Sequence, residues 1–396
     1  MIWDVIIIGS GPAGLSAASS LKGLKVLLLE KQASVGDKLK LSGAGQCNLT
    51  HAGEMKNYEN HYNKWRFVRY ALMNYKNSDL INEMNSLGLE TIVRDDNKVF
   101  PKSLKSQEVI DVLVNDIKGD IEINLNETVV SVSKESDFIV ETEKATYNSK
   151  SVIVATGGIS YPKTGSTGDA IRFAKKLHVD YETYRYALSP VYLESHEYSD
   201  LMGLSFKDVS INHFRGKKLG EYKGDLLLTH FGYSGPVILN ASRNMFEGDE
   251  LFINFINITS EALDKLLLKD HGKKLLKTVL LPLGPQRFID KVLGILGLKD
   301  VKVSELKKSD RKALVKRLTD YWIVVSKVGK SHIAMVSAGG ILTSALKKKT
   351  YESNIEGLYF IGECVDIDGD TGGYNIQYAF SSGKMAAYDI RKKLYE

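Results

Sequence analysis

At 396 residues the chain is longer than one average domain, and two or three domains are expected. It is 43% hydrophobic and 26% charged, with 34 glycines and 7 prolines, a balance that excludes disordered, collagen-like and coiled-coil classes. Two cysteines exclude a disulfide-stapled scaffold and a cysteine-held zinc or iron–sulfur site, and a net charge of +5 is too mild to name a polyanionic partner.

Residues 5–8, a Val-Ile-Ile-Ile run, predict a strand buried on both faces of a parallel sheet. They feed Gly9-Ser10-Gly11-Pro12-Ala13-Gly14, then a helix of small residues at 15–21, then an apolar strand at 25–29 that ends at Glu30. In such a turn Gly9 permits the tight bend, Gly11 lets backbone N–H groups approach a pyrophosphate, and Gly14 brings helix and strand together. The helix N-terminus offers unpaired N–H groups and a partial positive charge to the phosphates. Glu30 stands where a carboxylate binds the adenosine ribose hydroxyls and repels a 2′-phosphate. A dinucleotide site is therefore expected. No apolar run nears the roughly 18 residues of a membrane span, and no basic stretch precedes the first one. A cytoplasmic protein with no membrane partner is expected.

Three later segments make FAD the expected dinucleotide. Short strands are predicted at 121–125, 128–133, 137–142, 145–147 and 151–155, the last running into Ala155-Thr156-Gly157-Gly158. Residues 357–363 predict another buried strand, ending in Gly362-Glu363. Asp366 to Asn375 then open onto a helix at 376–394. The N–H groups at that helix start suit the pyrimidine edge of an isoalloxazine, where reduction builds negative charge. Between these segments, residues 258–330 hold 17 lysines and arginines against 8 acids, more than the excess of the whole chain. Such a stretch is either the solvated face of lysine-rich helices or a nucleic-acid surface.

These motifs, with Lys38-Leu39, residues 42–50 (SGAGQCNLT), Val99-Phe100-Pro101, residues 155–162 (ATGGISYP), Gly165-Ser166-Thr167-Gly168 and residues 228–236 (LTHFGYSGP), resemble one family in their order. It is the flavoprotein family that includes aminoacetone oxidase, proposed bile-acid reductases and ribosomal-RNA dihydrouridine synthases. The resemblance implies an α/β fold in which a discontinuous Rossmann-type FAD-binding domain, residues 1–186 and 335–396, is interrupted by an insert. The insert would comprise an antiparallel β subdomain at 187–258 and a helical, basic subdomain at 259–334. Strand-like runs at 209–214, 225–228 and 250–256 agree, as does an amphipathic stretch at 310–322 with Leu314, Leu318, Tyr321 and Trp322 at helical spacing.

The same resemblance distributes the FAD-binding residues. Gly9, Ser10, Gly11, Pro12, Ala13, Gly14, Glu30 and Lys31 fall on the ADP half, with Ala155, Thr156 and Gly157, and with Val130 through its backbone. Lys38, Leu39, Ser42, Gly43, Gly45, Gln46, Cys47 and Asn48 run along the pyrophosphate towards the ring. Gly362, Glu363 and Asp366 approach the ribityl chain; Gly373, Asn375 and Ile376 approach the flavin edge. The chain departs from the family at Gln46, where arginine is common, at His51, where asparagine is common, and at Asn97-Lys98, where many members have Gly-Arg. The first change removes a cation from beside the flavin.

For chemistry, Cys47 is either a thiol that protonates a substrate carbanion or a small packed residue. Tyr161 and Tyr374 sit in loops beside the expected flavin, where a phenol can donate a proton or stack on substrate, or be structural. His230 either faces the site or satisfies a turn. No pair of histidines has metal-ligand spacing, so no metal is expected. No second GxGxxG unit follows, so NAD(P)H would visit the flavin transiently, or electrons would come from substrate or a partner protein. The expected activity is hydride transfer from flavin N5 to a carbonyl-conjugated C=C bond. The acceptor is a small enone or, alternatively, uracil C5=C6 in rRNA; a small-amine oxidase using O2 is the other reading.

Overall fold

The computed structural model describes residues 1–269 and 271–395. The chain forms two compact units, residues 1–186 with 334–396, and residues 187–333.

The first unit is built on a seven-stranded sheet. Its central strand, Ile2–Ile8, runs parallel to Val26–Leu29 on one side and Thr146–Val154 on the other. Every side chain from Val5 to Ile8 is buried, as the unbroken β-branched run requires. Glu122–Asn124 extends the sheet beyond Val26–Leu29. The two short strands expected at 145–147 and 151–155 are a single nine-residue strand. Along one edge its first half pairs antiparallel with Phe138–Thr142 and its second half pairs parallel with Leu358–Phe360. Asn148, Ser149 and Lys150, which broke the apolar pattern, sit where the strand changes that partner.

Helix Pro12–Ser20 packs across the final helix, Tyr374–Tyr395, at a point of backbone contact: a Cβ on Gly383 would lie 2.5 Å from the Ala13 carbonyl oxygen. Helices Trp65–Asn74, Asn77–Ser86 and Ser106–Ile117, together with a small sheet of Thr50–His51, Lys98–Pro101 and Thr91–Val93, complete this unit. Among the described residues no helix is long and apolar enough to cross a membrane, and no cluster of side chains suits a metal ion.

The second unit is a closed antiparallel barrel in the order Val191–Leu193, Gly232–Ser234, Lys217–Leu228, Ser205–Arg215, Glu250–Asn254 and Tyr321–Val328. Helices Ser260–Leu268, Leu276–Leu280, Gln286–Ile295 and Lys308–Thr319 share its core through Leu263, Phe288, Leu314 and Leu318. Tyr321 and Trp322 do not continue the helix expected over 310–322, and the segment 259–334 is not helical throughout. The helix stops at Thr319, and from Tyr321 onward the burial of Ile323 and Val325 follows a two-residue period. β-Branched residues at alternate positions suit a pleated strand better than another helical turn.

Helix propensity alone favours alanine over glycine by about 1 kcal/mol in a helix interior. At Gly383 the clash with Ala13 outweighs it, and Gly383→Ala should destabilise the protein by about 1–3 kcal/mol in urea denaturation. An unchanged or raised midpoint would show that the two helices separate without cost.

Candidate functional site

The three glycines of the turn after the first strand have different surroundings. Gly9 has φ +106°, and a Cβ there would lie 2.6 Å from the Ala155 carbonyl oxygen. A Cβ on Gly14 would lie 2.0 Å from the carbonyl oxygen of Gly9. Gly11 is different: its backbone is extended, and a Cβ would meet nothing within 4 Å. Pro12 opens the helix, and no side chain caps its N-terminus. The turn thus presents open space before uncapped N–H groups, the condition for holding an anion.

Glu30 is buried at the end of its strand. Its Oε2 accepts from the Ser10 N–H at 2.9 Å and the Ser10 hydroxyl at 2.5 Å, and its Oε1 accepts from the Gln32 N–H at 2.9 Å. Beside the turn, Thr156 has a buried hydroxyl with no hydrogen-bond partner among the described residues. Gly157, with φ +69°, follows it. Lys31 donates to Asp169 and Thr167, both at 2.6 Å. Burial opposes ionisation of Asp169, but Lys31 and Arg172 hold its carboxyl below the usual range. Val130 is exposed at a strand irregularity, and its carbonyl accepts from Arg172.

A second cluster gathers residues from four distant segments. Lys38 Nζ lies 2.5 Å from Glu363 Oε2 and 2.5 Å from Ser160 Oγ. Glu363 Oε1 accepts from the Ser337 N–H at 2.9 Å and from Ser160 at 3.1 Å. Gly362, just before, has no room for a side chain: a Cβ would lie 2.8 Å from that of Ala13. Leu39 is the buried residue of helix Asp37–Leu41, and its carbonyl accepts from the Ser42 hydroxyl. Gly43, Ala44 and Gly45 all have positive φ, as does Cys47.

Cys47 is fully enclosed, and burial pushes its thiol up to about 12. With its oxygen turned to the Gly373 N–H at 3.1 Å, the Asn48 amide donates to the Thr50 and Val99 carbonyls at 3.0 and 3.3 Å. Gln46 accepts at 2.6 Å from Arg94, whose guanidinium lies 3.9 Å from the centre of the Phe100 ring. Arg94 thus places a cation beside Gln46. Nothing along the chain marks Arg94 for this place, because it arrives from a separate hairpin.

The third cluster opens the last helix. Asp366, nearly buried, accepts from the Gly339 N–H at 3.2 Å and pairs with Lys64 at 3.2 Å. Asn375 closes the preceding loop by accepting from the Gly369 N–H and donating to the Gly369 carbonyl, at 2.8 and 2.9 Å. Ile376, next in the helix, is half-buried. Tyr374 is stacked between His51 and His61, with ring centres 5.2 and 4.3 Å away. Burial, and then the charge of His61, holds His51 below the usual imidazole range. Tyr374 is therefore a packed ring rather than a presented phenol. Tyr161 is half-exposed in the left-handed conformation, φ +54°, directly after Ser160. His230 belongs to the second unit, exposed between two barrel strands with its ring edge-on to Phe231.

All the expected cofactor residues thus lie in the first unit. The open side of Gly11, the uncapped helix and the unpartnered Thr156 hydroxyl fit a dinucleotide with phosphates at the turn. The chain matches the HI0933-like protein Rossmann domain over residues 3–389. It belongs to that family. The protein is an FAD-dependent oxidoreductase. It is 30% identical to the ribosomal RNA dihydrouridine synthase of Escherichia coli, over 98% of each chain. It is 25% identical to the 3-dehydro-bile acid delta(4,6)-reductase of Clostridium scindens, over 96% of this chain and 97% of that one. Among solved structures it shares a fold with 3-ketosteroid delta1-dehydrogenase from Sterolibacterium denitrificans, with a TM-score of 0.50 and 12% identity, over 99% of this chain and 100% of that one.

Valine is sterically allowed in the extended backbone of Gly11, and its side chain would enter only open space. Gly11→Val should unfold at the same urea concentration as flavin-stripped wild type, yet bind FAD at least about 100-fold more weakly, a loss of about 2.7 kcal/mol. A variant that purifies fully yellow would remove the turn from the cofactor site.

Proposed function

We propose that the protein reduces a carbonyl-conjugated carbon–carbon double bond, that its acceptor is a uracil of ribosomal RNA, and that NAD(P)H is the electron donor. The observation that carries this reading is the end-to-end match, 30% identical over 98% of each chain, to a ribosomal RNA dihydrouridine synthase. The overall change balances as uracil C5=C6 plus NAD(P)H plus a proton, giving 5,6-dihydrouracil and NAD(P)+. A small enone is the same kind of acceptor, and the bile-acid reductase at 25% identity is the corresponding relative.

FAD, when bound, supplies the two-electron chemistry that links donor and acceptor. In this reading the Gly9–Gly14 turn holds the pyrophosphate, Thr156 gains the partner its hydroxyl lacks, and Glu30 meets the ribose while bracing Ser10. Lys38, Glu363 and Asp366 line the ribityl chain. Gly373, Asn375 and Ile376 meet the ring edge, where the start of the last helix favours negative charge.

The proton that completes the reduction needs a donor that substrate can touch. Cys47 is sealed and Tyr374 is sandwiched. Within the first unit, Tyr161 is the remaining candidate. It is half-exposed, and its left-handed backbone costs on the order of 1–3 kcal/mol, a strain that clusters at working sites. Ser160, one residue before it, is fastened to Lys38 and Glu363.

Purified protein reduced anaerobically with NADPH or NADH should add two hydrogens to one uridine of an unmodified rRNA transcript, read by mass spectrometry. Reduction of a small enone at a salt-independent rate, with the transcript unchanged, would replace uracil as the acceptor. Flavin bleaching by a small amine, followed by peroxide release in air, would replace reduction with amine oxidation. Tyr161→Phe should slow reoxidation by the transcript about 10²–10⁴-fold while leaving reduction by NAD(P)H untouched. Cys47→Ala should leave both half-reactions unchanged, and the reverse result would move the proton to the thiol.

A further inference from the structure

Helix Lys308–Thr319 buries Leu314, Val315 and Leu318 in the core of the second unit. Its basic residues then divide into two groups. Arg311 is bound to Asp264 at 2.8 Å, and Arg317 is bound to Glu197. Lys308, Lys312 and Lys316 are exposed and have no ion-pair partner among the described residues. Spaced four apart, they form one row on the helix surface, about 6 Å between neighbours and about 12 Å from first to last.

The Arg311–Asp264 pair fastens this helix beside Ser260–Leu268, which carries the exposed Lys265, with the exposed Lys269 in extended backbone just past its end. Glu261 lies four residues before Lys265 on that helix; its hydrogen bonds at the helix start, and then the charge of Lys265, hold its carboxyl below the usual range. Like charges four apart destabilise a helix. The Lys308–Lys312–Lys316 row therefore works against the fold, and no ion pair among the described residues offsets it.

The chemistry of the row selects its partner. An amphipathic helix that lies on a membrane turns an apolar face outward, whereas here the apolar face is buried in the protein core. A protein interface is anchored by aromatic or apolar residues near its centre, and the lysine row holds none. Evenly spaced cations without apolar anchors suit a polyphosphate backbone. We propose that Lys308, Lys312 and Lys316, with Lys265 and Lys269 beside them, form a docking surface for the phosphate backbone of RNA, one that positions the substrate without reading its sequence.

This assignment rests on the rRNA reading above and names the surface that reading lacks. The test compares wild type with K308Q/K312Q/K316Q, three exposed substitutions outside the cofactor site, using the NAD(P)H-driven reduction of an unmodified rRNA transcript. Expected are a KM for the transcript at least about tenfold higher at moderate salt and an unchanged rate of flavin reduction by NAD(P)H. The slope of log KM against log salt should fall by about 2 to 3, for three lost phosphate contacts. If wild type reduces the transcript and the variant matches it in KM and slope, the docking surface is wrong and the acceptor stands. If wild type reduces a small enone but no transcript, the acceptor is wrong and the surface falls with it. Loss of binding to anionic phospholipid vesicles, with RNA kinetics unchanged, would overturn the assignment in favour of a membrane.

Discussion

Close approach without side chains around the start of the first helix is the constraint on which the cofactor end of this molecule depends. Four glycines from three parts of the chain make it. Gly9 presses on the Ala155 carbonyl, Gly14 on Gly9, Gly362 on the Ala13 side chain and Gly383 on the Ala13 carbonyl. Each contact brings a strand end or helix closer than any side chain permits. The first helix is thereby held with its N-terminus at the ends of the parallel strands, the place where open α/β sheets bind ligands. Gly11 stands apart, since its open side serves a ligand rather than packing.

The second layer of organisation is electrostatic. Lys38, Ser160, Ser337 and Glu363 come from segments more than a hundred residues apart, except for Ser337 and Glu363, yet they form one hydrogen-bonded group. Glu30 and Asp366 likewise spend their oxygens on backbone N–H groups of the glycine-rich turns around them. A carboxylate that accepts backbone donors fixes the loop and keeps its charge in place. Loop shape and local potential are thus set by the same atoms.

Much of this was legible in the primary structure because the signals are short in range. The valine–isoleucine run, the glycine turn and Glu30 lie within 30 residues, and each implies its neighbour. Other features arise from distance. The strand Thr146–Val154 looked like two because its polar middle marks a change of partner, and a partner 200 residues away leaves no local trace. Tyr321 and Trp322 fitted a helical period by coincidence, until the alternation after them placed them in the barrel. Tyr374 looked like an exposed loop phenol, but His51 and His61 close on it from two remote segments.

Gln46 carries that lesson into the chemistry. Read along the chain, glutamine before Cys47 is a lost positive charge. In space, Arg94 donates to that same glutamine with its guanidinium close over the Phe100 ring. A guanidinium that hydrogen-bonds Gln46 and packs over an aromatic ring at once uses its planar fork in a way a lysine would not reproduce. The loop that carries Cys47 and Asn48 therefore keeps a cation at its edge, delivered by the hairpin instead of by the loop itself. What a site presents to an anionic or electron-rich substrate is decided by where charge is held, and a substitution matters only after its neighbours have been counted.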